Sequence, residues 1–284
     1  METTPFRRFG NRYDEIKKLK STASSDIYRV RRNLSDIYTL KSFKKEFSDK
    51  KFKKQIEIYE HLGHEENPYF LKYISSSEDE LIVREKYIVL QPVEKGELKD
   101  CLLYGNHLSE KSGKVGILKV IRSIEKMHSM LIAHRNLSPE NILLDGSYNF
   151  KIAGFDHAIF IKENQKQIFE EDILNIGYLL IQLLTGKFNK KIIKQIVQST
   201  IKKESFESFW SFIENQGNHN FSSELKDLIN NILSGKIVDI ETLLSHDWFD
   251  AVRKITTNDF KAYEQLMIDE LKFCEGVENN ENAI

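Results

Sequence analysis

Residues Ile132 to Asp145 read IAHRNLSPENILLD, and Lys151 to Asp156 read KIAGFD. This stretch decides the fold, and its flanks say what kind of chain carries it. Upstream, Tyr13 to Tyr38 alternates apolar and polar residues with a break at Ser21 to Asp26, the pattern of two strands joined by a turn of small polar residues. Tyr38 to Phe43 is a third short strand. Phe52, Ile56, Tyr59 and Leu62 recur at helical spacing within Phe47 to Leu62, and Gly63 follows, so an amphipathic helix is predicted there. Strand-like runs at Phe70 to Ser75 and Tyr87 to Leu90 come next, and after Gly96 the pattern is mainly helical. Strands first and helices later imply an α+β chain with a sheet region ahead of a helical one, the boundary falling near Gln91 to Gly96.

The chain has 284 residues, 40% apolar and 30% charged, the composition of a globular protein with a sizeable core. A formal net charge of −1 gives no global electrostatic reason to expect nucleic acid or an anionic membrane as partner. Charge is unevenly placed, with lysines crowded between Lys41 and Lys54 and an acidic stretch after Asp259. The first reads as a solvated helix face, with a docking patch for an acidic partner as the alternative. Cys101 and Cys274 are too few for a disulfide framework, which suits a reducing compartment and a cytoplasmic location. Met1 to Gly10 has no apolar run behind Arg7 and Arg8, so no secretory signal is expected. Ile173 to Leu184 is about half the ~20 apolar residues of a membrane span and reads as a buried helix.

The two quoted segments, at that spacing, resemble the catalytic loop and the metal-binding motif of protein kinases. YTLKSF places Lys41 at the family's third-strand lysine, YIVLQP resembles the inter-lobe hinge, EEDILNIG places Asp172 at a family aspartate, and LLSHDWF resembles the end of the helical lobe. The resemblance covers roughly Tyr13 to Asp250. It implies a bilobal fold: an arm at 1–12, a small β-rich N-lobe at 13–92, a larger mainly helical C-lobe at 93–250, and a helical, acidic tail at 251–284.

Against that pattern the chemistry is depleted. Asn136 stands at the catalytic aspartate and cannot accept the substrate's proton, and Ser138 replaces a cation that would meet the transferring phosphate. Gly154 replaces the principal metal aspartate. Asn141 remains at the second metal-ligand position, and a lone amide is a poor site for magnesium. Lys20, Thr22 and Ser25 occupy the three glycine positions of the phosphate-covering loop, where side chains obstruct close approach of backbone N–H groups. Thr39 replaces a small apolar residue at the adenine roof. Gln55 takes the place of the glutamate that pairs with the lysine, while Glu57 lies on another helix face. Residues 157–171 form a shortened activation segment without an Ala-Pro-Glu motif, and the arginine that would pair with that glutamate is Ile237.

Asp156 lies two residues past Gly154. An extended backbone displaces such residues by about 6 to 7 Å on the same side, and the freedom of Gly154 would let the chain bring this carboxylate back. A surface aspartate left after the motif decayed is the preferred reading. Tyr59, His134, Leu143, Phe155 and Asp172 keep family positions that concern shape, and His128, His134 and Phe155 read as packing residues.

The resemblance and its gaps together imply a pseudokinase that is not an enzyme, working as a protein-binding scaffold or a component of a larger assembly such as a cytoskeletal or ciliary array. Expected cofactors are none, with weak ATP and magnesium binding through Lys41, Asn141 and Asp156 left open. The alternative is an atypical ATP-binding protein with residual serine/threonine kinase activity or another phosphate or nucleotidyl transfer. Phe260, Tyr263, Leu266 and Leu271 suggest a tail helix with one apolar stripe, packed on its own lobe.

Overall fold

A computed structural model of the chain describes residues 7–10, 12–33, 35–63, 68–79, 85–102, 106–186, 190–201, 206–217, 220–254 and 256–281. The leading part carries β1 (Arg8–Phe9), β2 (Tyr13–Ser21), β3 (Ser25–Arg31), β4 (Ile37–Phe43), helix α1 (Asp49–Gly63), β5 (Tyr73–Ser76) and β6 (Tyr87–Leu90). Then come α2 (Leu98–Cys101), α3 (Glu110–Ser129), and the short strands β7 (Ile132–Ala133), β8 (Ile142–Leu144), β9 (Phe150–Ile152) and β10 (Ile159–Phe160). The remainder is helical: α4 (Glu170–Thr185), α5 (Lys190–Ile201), α6 (Glu207–Gly217), α7 (Ser223–Leu233), α8 (Ile240–Ser245), α9 (Asp250–Arg253) and α10 (Thr257–Glu281).

Two compact units result, residues 1–96 with 144–156, and residues 97–143 with 157–284. A single cut after residue 92 is therefore replaced by one in which a later segment returns to the first unit. Backbone hydrogen bonding explains the return: Ile152 N–H donates to Tyr69 O at 2.8 Å, Lys95 N–H to Leu144 O at 3.2 Å and Leu144 N–H to Gly96 O at 3.0 Å. Phe70 bridges Ile152 in parallel, so the strand expected from Phe70 forms only from Tyr73.

In the first unit the sheet order is β1-β2-β3-β4-β6-β5, with neighbours antiparallel. Alternation places Phe9, Tyr13, Tyr28, Val30, Leu40, Tyr87 and Val89 on one buried face. Lys41 lies in central β4, opposite Ile27 on β3 and Ile88 on β6. Helix α1 buries Phe52, Ile56, Tyr59 and Leu62 at helical spacing, with polar Gln55 on the same side. Asp49 in its first turn pairs with Lys86 at 2.6 Å, a favourable placement for an acid at a helix start.

In the second unit α4 is the buried helix expected from Ile173 to Leu184. Gly113 lets α3 close on it, because a Cβ there would stand 2.6 Å from Leu184 Cδ2. Helix α10 lies along α3, with Met267 and Leu271 buried, Lys119 paired to Glu264 at 2.5 Å, and Glu270 accepting from Ser109 N–H at 3.0 Å. The segment after Asp250 is thus part of this unit. Its apolar stripe is corrected at one position: Tyr263, Met267 and Leu271 share the inward face at spacing four, leaving Leu266 turned outward. Residues 1–6 and 11 of the expected arm, and the side chain of Cys274, lie outside the described residues.

Candidate functional site

Within the first unit three side chains close a polar triangle. The Lys41 ammonium donates to both carboxylate oxygens of Asp156, each at 2.8 Å, and to Gln55 Oε1 at 3.2 Å. The Gln55 amide also donates to Asp156 Oδ1 at 3.0 Å. Lys41 and Gln55 are buried, while the Asp156 side chain keeps 30% of its exposure. The reading of Asp156 as a leftover surface aspartate is corrected, since both its carboxylate oxygens accept from the buried Lys41 ammonium and one also from Gln55. The cause is local. Gly154 takes φ +74°, a turn that a side chain disfavours, and Phe155 is anchored edge-on to Tyr59 at 4.9 Å and to Phe70 at 6.3 Å. Burial first, and then the Asp156 charge, push the Tyr59 hydroxyl far above its usual range.

The turn between β2 and β3 is closed on itself. Thr22 N–H and Thr22 Oγ1 donate to Ser25 O at 2.8 and 2.9 Å, and Ser25 N–H donates to Thr22 Oγ1 at 3.0 Å. Two backbone donors that could have met a phosphate are therefore spent internally. Beneath the turn, Asp26 accepts from Lys44 at 2.7 Å and Ser21 at 2.5 Å and pairs with Lys18 at 3.0 Å. The Lys44 and Ser21 hydrogen bonds, with help from Lys18, hold its carboxyl far below the usual range. Thr39 accepts from Val93 N–H at 3.2 Å, so its buried hydroxyl is satisfied by the segment after β6.

Within the second unit the loop after β7 is suspended from Asp172. This fully buried carboxylate accepts from Arg135 N–H at 2.6 Å and His134 N–H at 2.9 Å, and meets His128 Nε2 at 2.9 Å. Burial raises its pKa, but the His128 hydrogen bond, the nearby His134 and the Arg135 N–H outweigh that and hold it below the usual carboxylate range. The suspended backbone places Arg135 at φ +65°. Asn141 donates to Asn136 O at 2.8 Å and lies 3.5 Å from Ser138 Oγ, so these three family positions are brought together, with the Asn141 NH₂ spent on the loop. For Glu140, burial again raises the pKa, but its own backbone N–H, Ser138 and Lys99 together keep the carboxyl below its usual value.

Two features had no signal in the sequence. The His128 ring stacks on Phe169 at 3.7 Å, so His128 is a hydrogen-bonding partner as well as a packing residue. Arg135 pairs with Glu171 at 3.0 Å on the exposed side of the same loop. Ile237, where the absent arginine would stand, is buried.

The protein kinase domain family matches residues 13–171, more than half of the chain, and the chain belongs to that family. Among curated proteins it is similar to the serine/threonine-protein kinase GIN4 of Saccharomyces cerevisiae, 30% identical over 52% of this chain and 14% of that one. The cell cycle serine/threonine-protein kinase CDC5/MSD2 of the same yeast is 26% identical over 78% of this chain and 34% of its own length. Calcium-dependent protein kinase 33 of Arabidopsis thaliana is 26% identical over 88% and 48%. The chain spans less than half the length of each of these relatives.

These findings correct the expectation that the chain is not an enzyme. Its family and its named serine/threonine kinase relatives point to an enzyme, one that in general uses ATP and magnesium. Depleted motifs outweighed the retained frame in that expectation. Among the described residues no helix is long and apolar enough to cross a membrane.

Proposed function

We propose that the chain is an ATP-dependent protein kinase acting on serine or threonine, slow by the standard of its family, in which Lys41 receives the nucleotide phosphates. The observation that carries this is the buried Lys41 ammonium, held by Asp156 and Gln55. Burying a cation is costly unless it is paired; Asp156 pairs Lys41 here, and the keeping of this pair at the family's third-strand lysine position is what supports a role in binding phosphate oxygens.

Phosphoryl transfer relies mainly on positioning and on charge stabilisation, with little covalent chemistry for the protein to perform. The acceptor oxygen forms the new P–O bond as the bond to the leaving diphosphate breaks, and the hydroxyl proton passes to water. Asn136 can orient that hydroxyl through its amide without taking the proton. General-base loss costs about 10²- to 10⁴-fold, and family turnover runs at about 1–100 s⁻¹, which leaves at most roughly 10⁻⁴ to 1 s⁻¹ before the losses at Ser138 and Gly154 are counted.

Magnesium does not fit the site as arranged. In the first unit Gly154 offers no side-chain oxygen and both Asp156 oxygens lie on Lys41; in the second, taken by itself, the Asn141 NH₂ holds the loop. Among the described residues no three His, Cys, Asp or Glu side chains converge as a metal site. No step is drawn through the metal.

The test is transfer of labelled γ-phosphate to serine- and threonine-containing peptides and to the chain itself, with and without magnesium, against Lys41→Met. Slow transfer that depends on Lys41 is expected. Equal labelling by wild type and Lys41→Met over hours would overturn the proposal.

A further inference from the structure

We infer that Asp156 is a positioning residue for Lys41, supplying from the end of the 144–156 segment the charge that α1 does not provide. This rests on the reading of Lys41 as the phosphate-binding cation. The Lys41 side chain is only 10% exposed, and a buried ammonium without a counter-charge is strongly destabilising. On α1 the facing side chain is Gln55, whose amide oxygen at 3.2 Å is neutral. Glu57 on the same helix is exposed. The carboxylate that reaches the ammonium is Asp156, with both oxygens at 2.8 Å, a charge-assisted geometry stronger than a neutral hydrogen bond.

Gln55 then has a second task. Its oxygen takes one ammonium proton while its NH₂ donates to Asp156 Oδ1, so one amide orients both members of the pair. An amide can do this and a carboxylate cannot, because a glutamate at position 55 would face Asp156 with like charge. Glutamine at 55 and aspartate at 156 are therefore one matched solution. Moving the carboxylate to position 55 is a second solution, which requires that Asp156 be removed.

That exchange is the experiment. The full-length chain is prepared as wild type, Asp156→Ala, Asp156→Asn and the double variant Gln55→Glu/Asp156→Ala. Without nucleotide or metal, acylation of Lys41 by an amine-reactive ester is followed by peptide mass spectrometry, with exposed Lys17 and Lys53 as internal controls. Losing the carboxylate that clamps the ammonium frees the side chain to react, and at the worth of about one charge-assisted hydrogen bond Lys41 labelling should rise about tenfold in both single variants. It should return to the wild-type rate in the double variant, with control lysines unchanged throughout. Unchanged Lys41 labelling in Asp156→Asn, or no recovery in the double variant, would overturn the inference and leave Asp156 to a metal or to no role. Asp156→Asn is nearly isosteric and carries the comparison if the alanine variant does not fold. Because no nucleotide is present, a wild-type chain that fails to bind ATP would defeat the functional proposal and leave this comparison readable.

Discussion

Asp172→Asn is expected to cost about 3–5 kcal/mol of folding stability, the range for removing one partner of a buried charged network. The figure can be worked from the structure. Asp172, itself fully buried, accepts from the Arg135 and His134 N–H groups on different oxygens and also meets His128. An asparagine keeps one oxygen and turns an NH₂ toward the other donors, orphaning at least one of them. Hydrogen bonds to a charged acceptor contribute about 1.5–3 kcal/mol each, so losing one outright and taking the charge from the others agrees with that range. At roughly 2–4 °C per kcal/mol for a domain of this size, the melting temperature should fall by about 6–20 °C.

The same carboxyl sets a pH dependence. Its folded pKa lies below the ordinary value, so its stabilisation is present above about pH 4 and is lost as pH falls through the lower folded value. Thermal unfolding followed by circular dichroism at neutral pH and at stepwise lower pH measures both effects. The gap between wild type and variant should be widest at neutral pH and narrow below about pH 4. A neutral-pH gap under about 2 °C, or one that does not change with pH, would refute the reasoning.

Glu110→Ala should destabilise the second unit by about 2–4 kcal/mol, because it strips an acceptor from the buried Trp248 indole at 2.8 Å and from Ser222 at 2.6 Å. Urea unfolding read by tryptophan fluorescence measures it, and an unchanged midpoint would count against the assignment. Phe155→Ala should cost about 3–5 kcal/mol through the cavity left between Tyr59 and Phe70, with Phe155→Leu recovering much of it. Equal losses for the two variants would show that the cavity is not the cause.

The sheet and the buried helix α4 were legible because periodicity reports local geometry, whereas the placement of Lys41 came with the resemblance of YTLKSF to the family's third strand. So was the gathering of Asn136, Ser138 and Asn141, which lie within six residues of one another. Asp156 was misjudged for a physical reason: whether two residues past a glycine point outward or back depends on one φ value, and Phe155 sets that path through partners far away in sequence. The stacking of His128 on Phe169 was invisible likewise, since both residues look like ordinary helix-face and loop positions. The judgement on catalysis failed differently. The missing groups were weighed above the retained frame, although each is worth a finite factor in rate and residual transfer was the alternative.

The short segment after Asp156 is moored at both ends. Ile159 and Phe160 pair with β7, Ile161 N–H donates to Leu131 O, and Phe169 lies flat on His128. Between these moorings residues 162–168 have a contour of roughly 25 Å at full stretch, most of it already taken up in helical turns. A strap this short has little slack to swing between two positions. Moving the strap would require loosening a helical turn rather than ordering a free loop.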